Sequence, residues 1–223
     1  MKSSTSRYTL LVTPDYVGLQ DRTDPKSKPF YIDFLSGGIR YRGEKAGLRN
    51  ELLARAMGMK PKDNPRIIDA TAGLGRDSFI LATLGFTLTL LERSPILYAL
   101  LQDALNRAKR DPETATTISR MQLIEANAID WLAALPIPDR PHIIYLDPMF
   151  PERKKSASVK KEMAILHNVL GTDLDCAALL TVALTCATKR VVVKRPRLAP
   201  TINDQKPSFS LTGKHSRFDI YLV

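Results

Sequence analysis

The chain has 223 residues, 44% hydrophobic and 25% charged, a size and balance that suit one ordinary catalytic domain and exclude a disordered or fibrous protein. Its 33 Lys and Arg outnumber 23 Asp and Glu, a net charge of +10 that favours a polyanionic partner such as nucleic acid. The opening apolar run, Tyr8 to Val12, is too short for a secretory signal core, and no stretch reaches the length of a membrane span, so a cytoplasmic protein with no membrane role is expected.

Residues 1–45 carry strand-like runs at Tyr8 to Val12 and Pro29 to Phe34, punctuated by Pro14, Pro25 and Gly37-Gly38, which predicts a small β-rich N-terminal lobe. The spacing of Leu48, Leu52, Leu53 and Ala56 predicts a helix over Leu48 to Met57, stopped by Gly58 and Pro61, that leads into a catalytic domain over 46–223. From residue 66 the pattern alternates. Strands are expected at Arg66 to Ala70, Leu84 to Leu91, Gln122 to Glu125, His142 to Leu146 and Lys189 to Val193. Helices are expected at Arg76 to Thr83, Pro95 to Lys109, Ile129 to Leu135 and Asp173 to Ala187, which makes a doubly wound α/β domain. Cys176 and Cys186 fall in the last of these helices, as small core residues of a reduced protein. The closing runs, Ser208 to Leu211 and Phe218 to Val223, are too close together for a crossover and must pair antiparallel. A Rossmann-like, mostly parallel sheet with an antiparallel C-terminal strand is the class I methyltransferase arrangement, whereas a dinucleotide-binding domain would continue in parallel.

The strand Ile67-Ile68-Asp69 runs through Ala70-Thr71-Ala72-Gly73-Leu74-Gly75 into a helix at Arg76-Asp77. Glycines let backbone approach a ligand closely, and the crevice beyond such strand ends is where doubly wound sheets bind cofactors. A nicotinamide or flavin fingerprint would require a third glycine where Ser78 stands. S-adenosylmethionine carries an ammonium, a sulfonium and two ribose hydroxyls, and it suits the acids Asp69 and Asp77 better. Glu92, at the end of the next strand and roughly 20 residues after Asp69, suits bidentate acceptance of the ribose hydroxyls. After the third strand, Asn127 is expected to meet the adenine edge, with Asp130 either an alternative contact or simply a helix-start acid.

The fourth strand leads directly into Asp147-Pro148-Met149-Phe150-Pro151. Alone, Asp147-Pro148 reads equally well as a strand-ending turn. In order after the glycine loop and Glu92, it reads as a site for a planar amine. Asp147 and the Pro148 carbonyl would accept from the NH₂, and Phe150 would supply a stacking face. Neither cysteine lies in a strand-end loop, which argues against cysteine-adduct chemistry. His142, His167 and His215 lack metal-ligand spacing, and no metal is expected.

With these residues in view, the chain resembles the ribosomal RNA small subunit methyltransferase J family, which methylates N2 of a guanine in 16S rRNA. The resemblance rests on Ser36-Gly37-Gly38, Asp69 through Asp77, Leu91-Glu92-Arg93-Ser94, Tyr145 through Pro151, Lys154-Lys155-Ser156, Val159-Lys160-Lys161-Glu162 and Val193-Lys194-Arg195-Pro196. It implies S-adenosylmethionine as cofactor and 16S rRNA or the small ribosomal subunit as partner. It further implies cofactor contacts at Arg76, Asp77, Glu92, Arg93, Asn127, Ala128 and Asp147; the family has serines where this chain has Asn127-Ala128.

Arg153, Lys154, Lys155, Lys160 and Lys161 follow the Asp147 segment and are expected to contact RNA phosphates. Arg40, Arg42, Lys45 and Arg49, and the cluster Lys194, Arg195 and Arg197, are further candidates for that role. A methyltransferase acting on DNA adenine or a small amine, and a non-catalytic RNA-binding assembly protein, are the competing functions.

Overall fold

Apolar runs of three to seven residues alternating with helical segments fold as consecutive strands and crossover helices in the computed structural model, which describes residues 7–36, 46–148 and 175–223. The strands β3 (Ile67–Asp69), β4 (Leu88–Glu92), β5 (Met121–Glu125), β6 (Ile143–Leu146), β7 (Arg190–Pro196), β8 (Phe209–Thr212) and β9 (Ser216–Leu222) form one seven-stranded sheet. Its order is β5-β4-β3-β6-β7-β9-β8. Pairing is parallel from β5 to β7, while β9 lies antiparallel to both β7 and β8.

Side chains alternate across each strand, so the sheet buries two apolar faces. Ile67, Leu88, Leu90, Ile143, Tyr145, Val192 and Ile220 pack on one side, against α2 (Arg76–Thr83) and α3 (Pro95–Lys109). Ile68, Leu91, Ile144, Leu146, Val191, Val193 and Tyr221 pack on the other, with α5 (Ala128–Ala133) and α6 (Cys176–Cys186). The helix α3 shows how local sequence sets this up. Ser94 caps its start by accepting from the Leu97 N–H, Pro95 occupies the first turn, and Leu97, Leu100, Leu101, Ala104, Leu105 and Ala108 make one buried stripe. Each fully buried leucine there contributes about 1.5–3 kcal/mol. Between α1 (Leu52–Met57) and the C-terminal hairpin the remaining helix among these elements, α4 (Ala115–Ile118), is a single turn before β5.

Two expectations at the N-terminus are corrected. The partner of β1 (Tyr8–Val12) is β2 (Val17–Asp21), and Phe30 makes only a single bridge to Leu19 in place of a strand over Pro29 to Phe34. The Thr13 hydroxyl accepts from the Tyr16 N–H and donates to the Tyr16 carbonyl, closing a turn so tight that the next residues must pair back on β1. Pro29 lacks a donor for a ladder, and the chain after it turns inward. Ile32 and Phe34 are buried, and the Phe34 ring stacks on Phe79 of α2 at 4.9 Å. Arg107 of α3 holds the same segment by donating to the Ile32 carbonyl. The helix α1 begins at Leu52 rather than Leu48, because Asn50 and Glu51 donate to the Gly47 carbonyl in a turn that precedes it.

Candidate active site

Parallel pairing brings the ends of β3, β4 and β6 to one edge of the sheet. The chain places β4 and β5 on one side of β3 and β6 and β7 on the other, so the loops after β3 and β6 diverge and leave a crevice between them. Asp69 closes β3, Glu92 closes β4, and Asp147 follows β6.

The loop after β3 turns through Gly73 (φ 53°) and Gly75 (φ 67°), both in the left-handed region. Glu92, buried, fixes this loop with both carboxylate oxygens: one accepts from the Gly73 N–H at 2.9 Å and the other from the Ser94 N–H at 2.8 Å. Asp69 lies deeper and braces the loop from beneath, accepting from the Thr71 N–H at 3.1 Å and the Ser78 hydroxyl at 2.5 Å. Burial pushes the Asp69 carboxyl up to about 7, against the pull of those two hydrogen bonds.

Asp77, in the first turn of α2, accepts from the Tyr145 hydroxyl at 2.6 Å and from Lys194 Nζ at 2.6 Å. The same ammonium donates to Asp147 at 2.8 Å. Burial, then the carboxylates of Asp77 and Asp147, push the Tyr145 phenol well above its ordinary value, so it remains a donor. The Asp147 N–H donates to Thr71 Oγ1 at 2.6 Å, which ties the end of β6 to the glycine loop. The Asp147 side chain is 39% exposed, against 10% for Asp77, so of the two carboxylates on Lys194 it is the one presented to solvent.

Asp69, Asp147 and Asp77 are thus joined through Thr71 and Lys194, while Glu92 holds Gly73 of the same loop and the Gly75 N–H donates to the Ala72 carbonyl. Arg76 is exposed beside Asp77, and Pro148 is buried. Arg93, exposed, pairs with Asp175 before α6 at 2.5 Å. Asn127 caps α5, its side-chain oxygen accepting from the Ile129 N–H, while Ala128 is buried behind it. The Ala126 N–H donates to the Glu92 carbonyl at 3.0 Å, setting the loop with Asn127 beside that with Glu92. Phe150, Arg153, Lys154, Lys155, Lys160 and Lys161 lie outside the described residues.

Lys194 and Arg195 are only further candidates for RNA contact on sequence grounds, and the structure engages both within the protein. Lys194 belongs to the acid cluster, and Arg195 is only 4% exposed, its guanidinium donating to the Pro200 carbonyl. The signal for Lys194 was strand register: Leu146 pairs with Val193, so the next residue of each chain emerges at the same edge. Tyr145 and Thr71 carry no signal of their own in the sequence, because neither residue type announces a site.

A doubly wound sheet with an antiparallel last hairpin, a glycine turn at the switch between β3 and β6, and acids closing three neighbouring strands define a class I S-adenosylmethionine-dependent methyltransferase. The family model described as "Putative SAM-dependent methyltransferase" matches residues 1–223. A protein named ribosomal RNA small subunit methyltransferase J from Aeromonas salmonicida is 48% identical over 218 residues, covering 97% of this chain and 87% of its own. Its namesake from Thioalkalivibrio sulfidiphilus is 52% identical over 195 residues, covering 87% and 76%. The crystal structure of a SAM-dependent methyltransferase from Neisseria gonorrhoeae superimposes with a TM-score of 0.78 at 40% identity, over 98% of this chain and 84% of that one. The chain belongs to the ribosomal RNA small subunit methyltransferase J family.

The residues present fit S-adenosylmethionine. Among the described residues a Cβ built on Gly73 meets only the Thr71 carbonyl, at 3.7 Å, so as far as they go this face of the turn has room for close approach of a ligand. Around it stand carboxylates suited to hydroxyls and to cationic groups.

Proposed function

We propose that the protein methylates an exocyclic base amine of 16S rRNA in the small ribosomal subunit, a guanine N2, in the cytoplasm. The observation that carries this reading is Asp147, a solvent-facing acceptor at the end of β6, tied through Thr71 to the cofactor loop and through Lys194 to Asp77. The names of the relatives and the net charge of +10 support an RNA substrate, and the family resemblance supports guanine N2. No helix among the described residues is long and apolar enough to cross a membrane.

S-adenosylmethionine, when bound, supplies an electrophilic methyl group on a sulfonium. Glu92, whose carboxylate holds the cofactor loop at Gly73, would accept from the ribose hydroxyls, and Asp77 adds negative charge near the same turn. A base amine is a weak nucleophile because its lone pair is delocalised into the ring. Asp147 accepts a hydrogen bond from the amine, with the Pro148 carbonyl as second acceptor and Phe150 as stacking face, and so aims the nitrogen. In such a transfer the methyl would pass from sulfur to nitrogen, and positive charge would grow on the amine. Asp147 stabilises that charge, and the surplus proton leaves toward it or toward water. Arg153, Lys154, Lys155, Lys160 and Lys161 would hold the phosphate backbone near this mouth.

The test is transfer of labelled methyl to small subunits from a strain lacking this enzyme, alongside naked 16S rRNA, duplex DNA and small amines, with the modified base mapped in the RNA. Asp147→Ala should bind S-adenosylmethionine within about tenfold of wild type and transfer no methyl. Labelling of DNA or small amines in preference to RNA, or near-normal turnover by folded Asp147→Ala, would overturn the reading.

A further inference from the structure

The Lys194 ammonium bridges two carboxylates that come from different elements, Asp77 from the first turn of α2 and Asp147 from the end of β6. Both acceptor atoms are Oδ2, at 2.6 and 2.8 Å, so the two negative charges sit within the roughly 4–6 Å over which one charge governs the behaviour of another. We propose that Lys194 is a positioning residue for methyl transfer: its ammonium holds the Asp147 carboxylate, ionised and oriented, in one frame with the cofactor loop. This inference rests on the reading of Asp147 as the acceptor of the substrate amine.

The lysine is suited to that role and unsuited to two others. Burial alone would lower its pKa, but the Asp77 and Asp147 carboxylates outweigh burial and raise it, so Lys194 stays protonated and cannot take the proton lost by the amine. Nor is its cation offered to solvent for a phosphate, since both acids already engage it and its side chain is only 27% exposed. Tyr145 completes the arrangement by donating to Asp77 Oδ2, the atom that also receives Lys194, so Asp77 is anchored from two strands and serves as the fixed end of the bridge. Asp147 is the adjustable end. Without the ammonium, Asp77 and Asp147 would repel each other, and Asp147 would turn away or take up a proton, losing in either case its capacity to accept from an amine.

The test compares Lys194→Met, which keeps length and loses charge, with Lys194→Arg, which keeps charge, in the full-length protein. Turnover on small ribosomal subunits from the deletion strain, KM for those subunits, calorimetric affinity for S-adenosylmethionine and the pH dependence of kcat are measured together. Lys194→Met should lower kcat by about tenfold or more while KM for subunits stays within about threefold, the pattern of a group that acts on the transition state. The acid limb of its kcat profile should move to higher pH by about one unit. Among the described residues, the ionisable groups facing Asp147 in that profile are Lys194 on β7, Asp77 on α2, Tyr145 on β6 and Asp69 on β3. Lys194→Arg should restore most of kcat and return the limb.

A raised KM with unchanged kcat would make Lys194 a substrate contact and overturn the proposal. So would a pH-independent loss that arginine does not rescue, the mark of a merely structural ion pair. If Lys194→Met fails to fold, Lys194→Arg decides alone: the proposal requires near-normal kcat, and a loss beyond about tenfold refutes it. Asp147→Asn separates the two levels of argument. Active Asp147→Asn removes the acceptor reading itself, whereas inactive Asp147→Asn beside wild-type Lys194→Met removes only the role of the lysine.

Discussion

Gly73 and Gly75 look equivalent in the sequence, and the structure predicts that replacing them with alanine has different consequences. Both have positive φ, 53° and 67°, so each alanine carries a left-handed backbone penalty of about 1–2 kcal/mol. They differ in surroundings. A Cβ on Gly75 would stand 2.8 Å from Leu101 Cδ1 and 3.1 Å from Phe34 Cζ, and those side chains are fully buried, with Phe34 stacked on Phe79. Overpacking of that kind adds about 1–3 kcal/mol, for a total of about 2–5 kcal/mol. Among the described residues a Cβ on Gly73 meets nothing nearer than 3.7 Å and adds backbone strain alone. At about 2–4 °C per kcal/mol for a chain of this size, Gly75→Ala should lower Tm by about 4–20 °C and Gly73→Ala by about 2–8 °C. Affinity should order the other way. The Gly73 Cβ projects into the open face where a ligand must approach the backbone, so calorimetry at a temperature where both variants are folded should show the larger loss of S-adenosylmethionine binding in Gly73→Ala. Equal Tm losses, or a stable Gly75→Ala with the weaker binding, would refute this division of labour between the two turns of one loop.

Glu92→Ala removes the acceptor for the Gly73 and Ser94 N–H groups together with the proposed ribose contact, and S-adenosylmethionine Kd should rise about 10- to 100-fold, since a charge-assisted hydrogen bond contributes about 1.5–3 kcal/mol. Unchanged calorimetric affinity would place the ribose elsewhere. Asp69 makes a prediction about pH. Its carboxyl is raised to about 7 in the folded protein, above its unfolded value, so the folded state holds the proton more tightly and stability falls as pH rises from the ordinary carboxylate range to about 7. Asp69→Asn lacks that loss. In denaturant titrations from pH 5 to 8, the stability of the variant relative to wild type should therefore climb by up to about 1.4 kcal/mol per pH unit and level off above 7. A difference that is flat across the range would show that Asp69 does not titrate there.

The strand and helix pattern was legible along most of the main domain because its signals are local. Ser94-Pro95 with a leucine stripe located α3 to the residue, and Gly75 before Arg76-Asp77 located α2. The second N-terminal strand was not legible, since Val17–Asp21 contains Gly18 and two polar residues and pairs only because the Thr13 turn delivers it to β1. Among site residues, Asp147 and Glu92 stood out as acids following apolar strands, a signal that chain order alone supplies.

What the sequence determined by itself was the order of strands, helices and glycine turn, and hence the edge at which ligands gather, because hydrophobic period and capping act over a few neighbouring residues. Tertiary structure decided which acids face solvent and which are braces. Asp69 and Asp77 have the same charge in the sequence as Asp147, yet packing buries the first two beneath Ser78, Tyr145 and Lys194 and leaves Asp147 partly exposed. Register decided the rest. Lys194 is 47 positions from Asp147 and 117 from Asp77, and only the parallel pairing of β6 with β7 carries its ammonium between them, a juxtaposition set by long-range backbone hydrogen bonds that no local pattern encodes.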